Sequence, residues 1–478
     1  MKQKTVFFSL IALCAVFLFQ FTGTALASSA LELDGSKLDI VWVIPFVCML
    51  LSIALLPLII PTIWENHFGK IAAFWGLAFL IPCAIFISPS VALYSFLHTV
   101  LLEYIPFIML LLALFTVSGG ICLKGDLVGK PITNLLILFV GTLLAGWMGT
   151  TGAAMLLIRP LLKANDYRKY RVHSVVFFIF LVANIGGSLT PLGDPPLFLG
   201  FLKGVPFTWT LHHMIPTTLF LVVILLPLYF VIDTILYNKE KKTGHAKPVP
   251  APTGEKLGIE GGVNFLLLGC VIASVLTSGV WRPGISFAVY GIDLELQNIF
   301  RDVAFLVITF LSLKLTATPI RERNEFNWHP IQEVAKIFFG IFLSMIPAIA
   351  ILQAGTEGQL SAIINLVNTG GQPHDPSYFF LTGVLSSFLD NAPTYLVFFN
   401  TTGVPVEFLT TEMASTLVAI SAGAVFMGAT TYIGNAPNFM VRSIAETSGV
   451  KMPSFFGYMG WSCAILLPLF VVMSFIFF

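Results

Sequence analysis

Long apolar segments recur along this chain, and each is long enough to form a helix that crosses a membrane. Ten of them begin near Val41, Ile71, Leu101, Val175, Met214, Asn264, Val303, Ile337, Ala414 and Phe455. Two further segments, 133–162 and 377–401, differ because a polar cluster interrupts each one, GTTGAA at 149–154 and LDNAPT at 389–394. A central turn of this kind predicts a re-entrant helical hairpin whose tip is buried in protein at membrane depth.

A second kind of interruption is written twice, as GGSLTPLGDPP at 186–196 and as MGATTYIGNAPN at 427–438. The copies are 241 positions apart and align at Gly187/Gly428, Thr190/Thr431, Gly193/Gly434, Asp194/Asn435 and Pro196/Pro437. A membrane helix tolerates such a break only where the freed backbone groups find polar partners. Broken helices at matching places in two halves are typical of a transporter's binding site.

The composition excludes a soluble fold. Hydrophobic residues make up 57% of the 478 positions and charged residues only 10%, which predicts an all-α polytopic membrane protein. The net charge of +1 gives no indication of a nucleic-acid partner. The six cysteines form no CxxC pair, so we expect small core residues and neither disulfides nor metal ligands.

The basic residues predict the topology in a bacterial cytoplasmic (inner) membrane. Lys2 and Lys4 precede an apolar run that ends at Ala25-Leu26-Ala27, which predicts a signal peptide over 1–27; an uncleaved first helix is the other interpretation. Basic loops at 159–171, 239–247, 321–323 and 442–451 are separated by even numbers of crossings, so all four are expected in the cytoplasm. The mature N-terminus and the C-terminus are then both outside.

Each half accordingly contains five crossings, one of them broken, and one hairpin. Because five is odd, the second half starts on the opposite face from the first, which predicts an inverted repeat. The expected units are a first repeat at 28–237, a cytoplasmic linker at 238–262 and a second repeat at 263–478. The linker, rich in Lys, Pro and Gly, is too short for a catalytic domain.

Two hairpin tips and two broken helices should meet near the bilayer centre and form a binding site. The candidate residues are Thr150, Thr151, Asn184, Ser188, Thr190 and Asp194 from the first half, and Asp390, Asn391, Thr394, Thr430, Thr431 and Asn435 from the second. Hydroxyl, amide and backbone oxygens suit Na⁺, and an intramembrane carboxylate is by default a cation ligand or a proton carrier. Asp194 and Asp390 are therefore the expected proton-carrying ligands.

The tip-to-break spacing is 44 positions from Thr150 to Asp194 and 45 from Asp390 to Asn435. We therefore interpret Thr150 and Asp390 as equivalent tip residues. In this interpretation each half contributes one carboxylate, but from the opposite structural element.

The chain resembles the ion transporter superfamily, which includes NhaD-type sodium/proton antiporters, arsenite permeases and citrate transporters. The resemblance lies in ANIGGSLTPLGDPP at 183–196, NWHPIQEVAKIFFGIFLSMIPA at 327–348 and DNAPT at 390–394. It departs from the better-known NhaD pattern at Pro195-Pro196, and is nearest to a subgroup labelled citrate transporter or sodium/proton antiporter. The resemblance implies a two-hairpin fold, an elevator-like mechanism and a homodimer.

The predicted site contains two aspartates and no Lys or Arg, which favours a cation over a polyanion such as citrate. We therefore expect a sodium/proton antiporter in which Asp194 and Asp390 bind Na⁺ when ionised and release it on protonation, with no other cofactor. Thr151, Thr190, Asn391, Thr431 and Asn435 would complete the shell. A sodium- or proton-coupled citrate or dicarboxylate transporter remains the alternative, because helix N-termini and bound Na⁺ can hold carboxylates.

A polytopic membrane enzyme and a channel are more distant alternatives. The eight histidines form no HExxH or similar ligand set, and the loops show no catalytic constellation of Asp, His or Glu. Hairpins paired with broken helices in inverted halves favour alternating access over a channel.

Overall fold

The computed structural model describes residues 31–243, 254, 256–369 and 372–478. The predicted signal peptide at 1–27 lies outside the described residues, as does part of the predicted linker. Within these described residues, ten helical segments are long and apolar enough to cross a membrane. The prediction of an all-α polytopic membrane protein is confirmed.

The described part of the first half consists of nine α-helices, some of them joined end to end. Short π-helical segments, Cys83–Ile87 and Val100–Tyr104, precede the helices that begin at Pro89 and Ile105. The helices are α1 (Ile44–Ile59), α2 (Pro61–Pro82), α3 (Pro89–Thr99), α4 (Ile105–Ser118), α5 (Pro131–Met148), α6 (Thr150–Ala164), α7 (Val172–Leu181), α8 (Pro195–Leu202) and α9 (Phe207–Thr243).

The described part of the second half consists of eleven α-helices. Three of them are short and lie between the main ones: Thr318–Arg323, Ser361–Val367 and Val406–Thr410. The helices are α10 (Val263–Val280), α11 (Leu296–Leu315), α12 (Thr318–Arg323), α13 (His329–Gln353), α14 (Ser361–Val367), α15 (Asp375–Leu389), α16 (Asn391–Thr401), α17 (Val406–Thr410), α18 (Ala414–Met427), α19 (Ala436–Thr447) and α20 (Phe455–Phe477).

Between these helices the described residues form three antiparallel strand pairs, which the hydrophobic pattern does not indicate. Strand β1 (Cys122–Lys124) pairs with β2 (Gly258–Glu260), so the segment after α4 is bound to the end of the predicted linker. The other pairs are β3 (Ser286–Val289) with β4 (Ile292–Glu295), and β5 (Asn368–Thr369) with β6 (Gln372–Pro373).

The order of helix types is the same in both halves. Three leading spans are followed by two helices joined at a single residue, at Gly149 between α5 and α6 and at Asp390 between α15 and α16. A broken helix comes next, with a 3₁₀ turn at Ile185–Leu189 before α8 and at Gly428–Thr430 before α19, and one last span ends each half. The membrane orientation of the two halves stays a prediction.

The helices pack into two groups. The span group consists of the leading spans of both halves, in which α2 packs on α13 and α4 packs on α10 and α11. The hairpin group consists of α5 to α9, α15, α16 and α18 to α20. Within it each hairpin packs on the broken helix of the other half, α6 on α19 and α16 on α8. The two groups meet mainly where α4 packs on α6 and where α13 packs on α16.

A buried ionic network anchors the base of the first hairpin to α9. Arg168, between α6 and α7, forms ion pairs with Asp233 at 2.5 Å and with Glu240 at 3.1 Å. His173 Nε2 lies 2.9 Å from the same Asp233 carboxylate, and Asn134 donates to its other oxygen at 2.9 Å. The sequence analysis assigns Arg168 to a basic cytoplasmic loop, and the structure shows that its side chain is fully buried.

We expect Arg168→Met to lower the free energy of unfolding by about 3–5 kcal/mol, because it leaves two carboxylates buried without their cation. Thermal unfolding of the detergent-solubilised protein, followed by fluorescence, measures the change. Arg171→Met is the matched control, since Arg171 pairs with Asp166, whose side chain is 69% exposed, and such pairs contribute at most about 1 kcal/mol. Equal effects of the two substitutions would contradict a structural role of the network.

Candidate functional site

The two breaks fold back on themselves in the same way. A Cβ atom at Gly193 would lie 2.2 Å from the carbonyl oxygen of Gly187, and one at Gly434 would lie 2.6 Å from that of Gly428. Neither distance is compatible with a side chain, so both breaks need glycine at this point. The duplicated glycines of the motif thus have one steric cause in both halves.

The duplicated threonines bind each break to its hairpin. Thr190 donates its hydroxyl hydrogen to the carbonyl oxygen of Gly146, and Thr431 donates to that of Ser387. Each hydroxyl also accepts from the backbone of its own break, from Leu192 N at 3.1 Å and from Gly434 N at 3.0 Å. These threonines satisfy backbone groups that the breaks leave free, which a membrane interior requires.

Three side chains from three different elements donate to the carboxylate of Asp194. Thr150 Oγ1 donates to Oδ1 at 3.0 Å, Asn435 Nδ2 donates to the same oxygen at 3.2 Å, and Asn391 Nδ2 donates to Oδ2. The carboxylate is 2% exposed. Both hairpin tips and both breaks therefore meet at one acid.

A chain of amides continues from this carboxylate across the two halves. Asn435 Nδ2 also lies 3.2 Å from Asn184 Oδ1, and Asn184 Nδ2 donates to Asn438 Oδ1 at 2.7 Å. Asn438 in turn donates to the carbonyl oxygens of Gly428 and Thr431. Sequence reasoning missed Asn438, although it ends the second motif and lies in the first turn of α19.

The proposed equivalence of Thr150 and Asp390 is wrong by one residue. Gly149 and Asp390 are the counterparts, because each joins the two helices of its hairpin with nearly the same backbone angles, φ 81° and ψ 148° against φ 75° and ψ 144°. Thr150 then corresponds to Asn391, and the offset is 241 positions for tips and breaks alike. Thr150 and Asn391 are the two tip residues that donate to Asp194.

The structure does not bring Asp390 into contact with Asp194. The side chain of Asp390 is half-buried, and its Oδ1 accepts from the backbone N–H of Ala392 at 3.3 Å. It thereby caps α16 at the hairpin tip. The carboxylates of the two halves occupy neighbouring positions with different surroundings.

Five of the remaining candidates bond to structural neighbours, and Thr151 is half-buried in the first turn of α6. Ser188 lies 2.6 Å from Thr218 Oγ1 and donates to Ile185 O; Thr394 donates to Asp390 O; Thr430 donates to Ser387 Oγ. Thr190 and Thr431, described above, belong with them. These hydroxyls hold the tips and breaks in place.

The site has the electrostatic properties of a cation site. No described Lys or Arg lies within ion-pair distance of Asp194 or Asp390. Asn391 Oδ1 is buried and has no hydrogen-bond partner within the described part of the chain. A buried carboxylate beside an unpaired amide oxygen favours a bound cation or a proton, because an isolated charge at this depth is costly.

Four helices also begin at this site, and their N-termini carry partial positive charge. Helix α6 begins at Thr150, α8 at Pro195, α16 at Asn391 and α19 at Ala436. The residues that precede α8 and α16 are Asp194 and Asp390, so each of these two helix ends already faces a carboxylate of the protein. Such ends can hold a carboxylate ligand only together with a bound cation.

Comparison with known proteins identifies the family of the chain. No curated protein matches the chain. A family model described as "Putative citrate transport" matches residues 35–478, which include both hairpins, both breaks and every candidate residue. The chain therefore belongs to this citrate-transport family and is a multi-pass membrane secondary transporter.

Proposed function

We propose that the protein exchanges Na⁺ for protons, with Asp194 as the residue that binds the two ions alternately. The observation that carries this proposal is the buried Asp194 carboxylate. It accepts hydrogen bonds from uncharged side chains, and no described Lys, Arg or His forms an ion pair with it. When ionised, Asp194 would bind Na⁺ together with the free Oδ1 of Asn391. Protonation would remove the charge and release the ion.

Competition of two ions for one carboxylate requires that the site opens to each face in turn. The division into a span group and a hairpin group supports such a movement, because all four elements of the site belong to the hairpin group. Few polar contacts between described residues join the groups: Arg159 to Glu325 at 2.8 Å, Lys203 to Glu103 at 2.6 Å, Gln353 to Asn400 at 3.0 Å and Ser118 Oγ to Met148 O at 3.4 Å. Sliding of the hairpin group would break these contacts and preserve the site.

We expect a cross-link between the two groups to stop exchange. In an active variant without native cysteines, Glu103→Cys with Lys203→Cys would be joined by a bifunctional maleimide of matching length, and Na⁺-driven proton flux measured before and after. The control pair is Lys124→Cys with Glu260→Cys, whose parent side chains bond at 2.9 Å between the paired strands β1 and β2. Exchange that continues after complete linkage of 103 to 203 would contradict movement between the groups.

Cation-coupled transport of a citrate-like carboxylate is the second candidate. It is favoured by the description of the family and by the four helix N-termini at the site. In this case Na⁺ or a proton would neutralise the Asp194 carboxylate, and the four helix N-termini could then bind the carboxylates of the substrate. Under either function we propose that the protein is a homodimer in the inner membrane.

A single proteoliposome preparation distinguishes sodium/proton exchange from cation-coupled carboxylate transport. Proteoliposomes with a pH-sensitive dye inside receive an inward Na⁺ gradient, without citrate and then with radiolabelled citrate. Exchange predicts that the lumen becomes alkaline without citrate and that no label accumulates. Label that accumulates only with the gradient, and no pH change in its absence, would overturn the first candidate in favour of the second.

A further inference from the structure

The helices that follow the two breaks, α8 and α19, occupy equivalent places in the two halves but differ in exposure. The offset of 241 positions that relates the tips and the breaks continues into them and pairs Phe198 with Phe439. Phe198 is 1% exposed, whereas Phe439 is 54% exposed. In the next pair Leu199 is buried and Met440 is half-buried. Since Phe198 and Phe439 are the same residue type, the difference comes from what covers each helix.

Helix α8 is covered by both groups. Within the hairpin group it packs on α16 and α18, and from the span group it contacts α4 and the π-helical segment Val100–Tyr104. The Phe198 ring stacks on Phe201, with 5.9 Å between the ring centroids. At the end of α8, Lys203 pairs with Glu103 of the π-helical segment at 2.6 Å. The site is therefore closed on the side toward which α8 runs.

Helix α19 packs mainly on α6 and α7, which belong to its own group. Arg442, the equivalent of Phe201, pairs with Glu446 of the same helix at 3.0 Å. A cleft of about 480 Å³ lies between α19 and the start of α13, and Met440, Ser443 and Pro330 are among its lining residues. Phe439 lies one helical turn before Ser443 on the same face of α19. The face of α19 that corresponds to the covered face of α8 is thus open.

The predicted topology assigns these two sides to the two faces of the membrane. The open cleft is also lined by Arg159 and Lys163, which the basic-residue pattern places on the cytoplasmic side. Helix α8 ends near the start of α9, which runs through 37 residues to the predicted linker. Because one span crosses the membrane once, α8 runs toward the outer face. The structure is then open to the cytoplasm and closed to the outside.

We propose that Phe198 and Phe439 are equivalent gate residues that close the site to opposite faces in turn. In the arrangement described above, Phe198 is buried and keeps α8 against the span group. In the other arrangement α19 would pack on α13, and Phe439 would be buried as Phe198 is now. Each closed state buries one phenylalanine and exposes the other, so neither gains a large advantage from these two residues.

Helix α13 is the expected partner of α19 because it is the counterpart of the α3–α4 span that covers α8. Both are the third leading span of their half, and the offset of 241 positions pairs Pro89 with Pro330 in their first turns. The gate proposal rests on the proposed function only in requiring that the site opens to both faces. It does not depend on which ions or substrates pass Asp194.

The reactivity of single cysteines tests the gates. In a variant without native cysteines, Phe198→Cys or Phe439→Cys is treated with a charged, membrane-impermeant thiol reagent in inside-out and in right-side-out vesicles. Phe439→Cys should react from the cytoplasmic face about tenfold or more faster than Phe198→Cys reacts from either face, because a buried thiol has to become exposed first. Val223→Cys is the control for exposure to lipid, since Val223 is 59% exposed on the apolar helix α9 and should not meet a charged reagent.

A second substitution tests whether the two gates are coupled. Phe439→Arg places a charge where burial against α13 would be costly, and so favours the arrangement that is open to the cytoplasm. In this background the slow reaction of Phe198→Cys from the outer face should fall by about tenfold or more. Thr447→Arg is the matched control, because Thr447 and its equivalent Pro206 are both exposed, and it should leave that rate unchanged.

Leu199→Cys and Met440→Cys repeat the comparison if Phe198→Cys does not fold, and unfolding in detergent should make all these cysteines equally reactive. The labelling does not require ion exchange, so a failure of the proposed function leaves this test intact. Equal rates at both gates, or an unreactive Phe439→Cys beside a reactive Ser443→Cys, would overturn the proposal. So would a Phe198→Cys that never reacts from the outer face, or whose rate Phe439→Arg leaves unchanged.

Discussion

Asp194→Asn should reduce Na⁺-driven proton flux by about a hundredfold or more. The substitution removes the negative charge to which Thr150, Asn391 and Asn435 donate. In the proposed mechanism this charge forms a buried pair with Na⁺, and loss of one partner of such a pair costs about 2–5 kcal/mol. An amide can neither carry the proton nor neutralise the cation. Proteoliposomes with an internal pH dye measure the flux.

The variant should remain folded, which makes this result interpretable. The second half places an amide at the equivalent position, since Asn435 corresponds to Asp194, and that residue fits the same kind of break. The melting temperature of Asp194→Asn is therefore expected not to fall. Asp166→Asn is the control for the chemical change, because Asp166 is exposed and distant from the site. Flux that survives in a folded Asp194→Asn protein would contradict the proposed role.

The fold was largely predictable because the membrane restricts what a chain can do. Apolar runs of spanning length have to be helices, and an interruption within such a run has to be satisfied by protein. The breaks at Gly193 and Gly434 could therefore be predicted from the sequence. The hairpin tips around Gly149 and Asp390 could be predicted in the same way. The chain forms helices and breaks at these positions.

The one-residue error at the tips has a physical reason. Sequence comparison matched polar with polar and so paired Thr150 with Asp390, but backbone conformation decides the equivalence. Gly149 and Asp390 share no chemistry, yet they share a positive φ. The corrected register leaves one carboxylate in each half, Asp194 at the first break and Asp390 at the second tip.

Contacts between residues that are distant in the chain could not be predicted from the sequence. Arg168 pairs with Asp233 and Glu240 across 65 and 72 positions, and nothing local distinguishes it from the exposed Lys169 beside it. The buried Nη1 of Arg159, for which the described residues offer no hydrogen-bond partner, likewise depends on packing between the two groups. Periodicity identifies a buried face, but a buried polar cluster requires knowledge of what lies opposite.

In the corrected register Asp390 occupies a position at which the first half has glycine, and its backbone conformation is strained. A residue with φ 75° and ψ 144° lies near a region that is almost exclusive to glycine, and its cost is of order 1–3 kcal/mol. The first half has glycine at this point, where a Cβ would meet no atom closer than 3.5 Å. Space for a side chain therefore exists at the tip, and only the second half uses it. We therefore propose that the strained Asp390 carboxylate is required at the proposed ion site.

Asp390→Gly should therefore make the protein more stable and less active. We expect the free energy of unfolding to rise by about 1–3 kcal/mol, because glycine adopts this conformation without strain. Exchange should fall, because the second carboxylate near Asp194 is lost. Melting temperature and Na⁺-driven flux, measured on the same preparation, give both results.

Asp390→Asn separates the two effects, because it removes the charge and keeps a side chain in the strained conformation. It should lose exchange as Asp390→Gly does, but without the gain in stability. If Asp390→Gly becomes more stable and keeps full exchange, the strained carboxylate has no part in transport, and Asp194 alone would carry the coupling. If Asp390→Asn retains exchange while Asp390→Gly loses it, the side chain acts through its cap on α16, since an amide oxygen can also accept from the backbone N–H of Ala392.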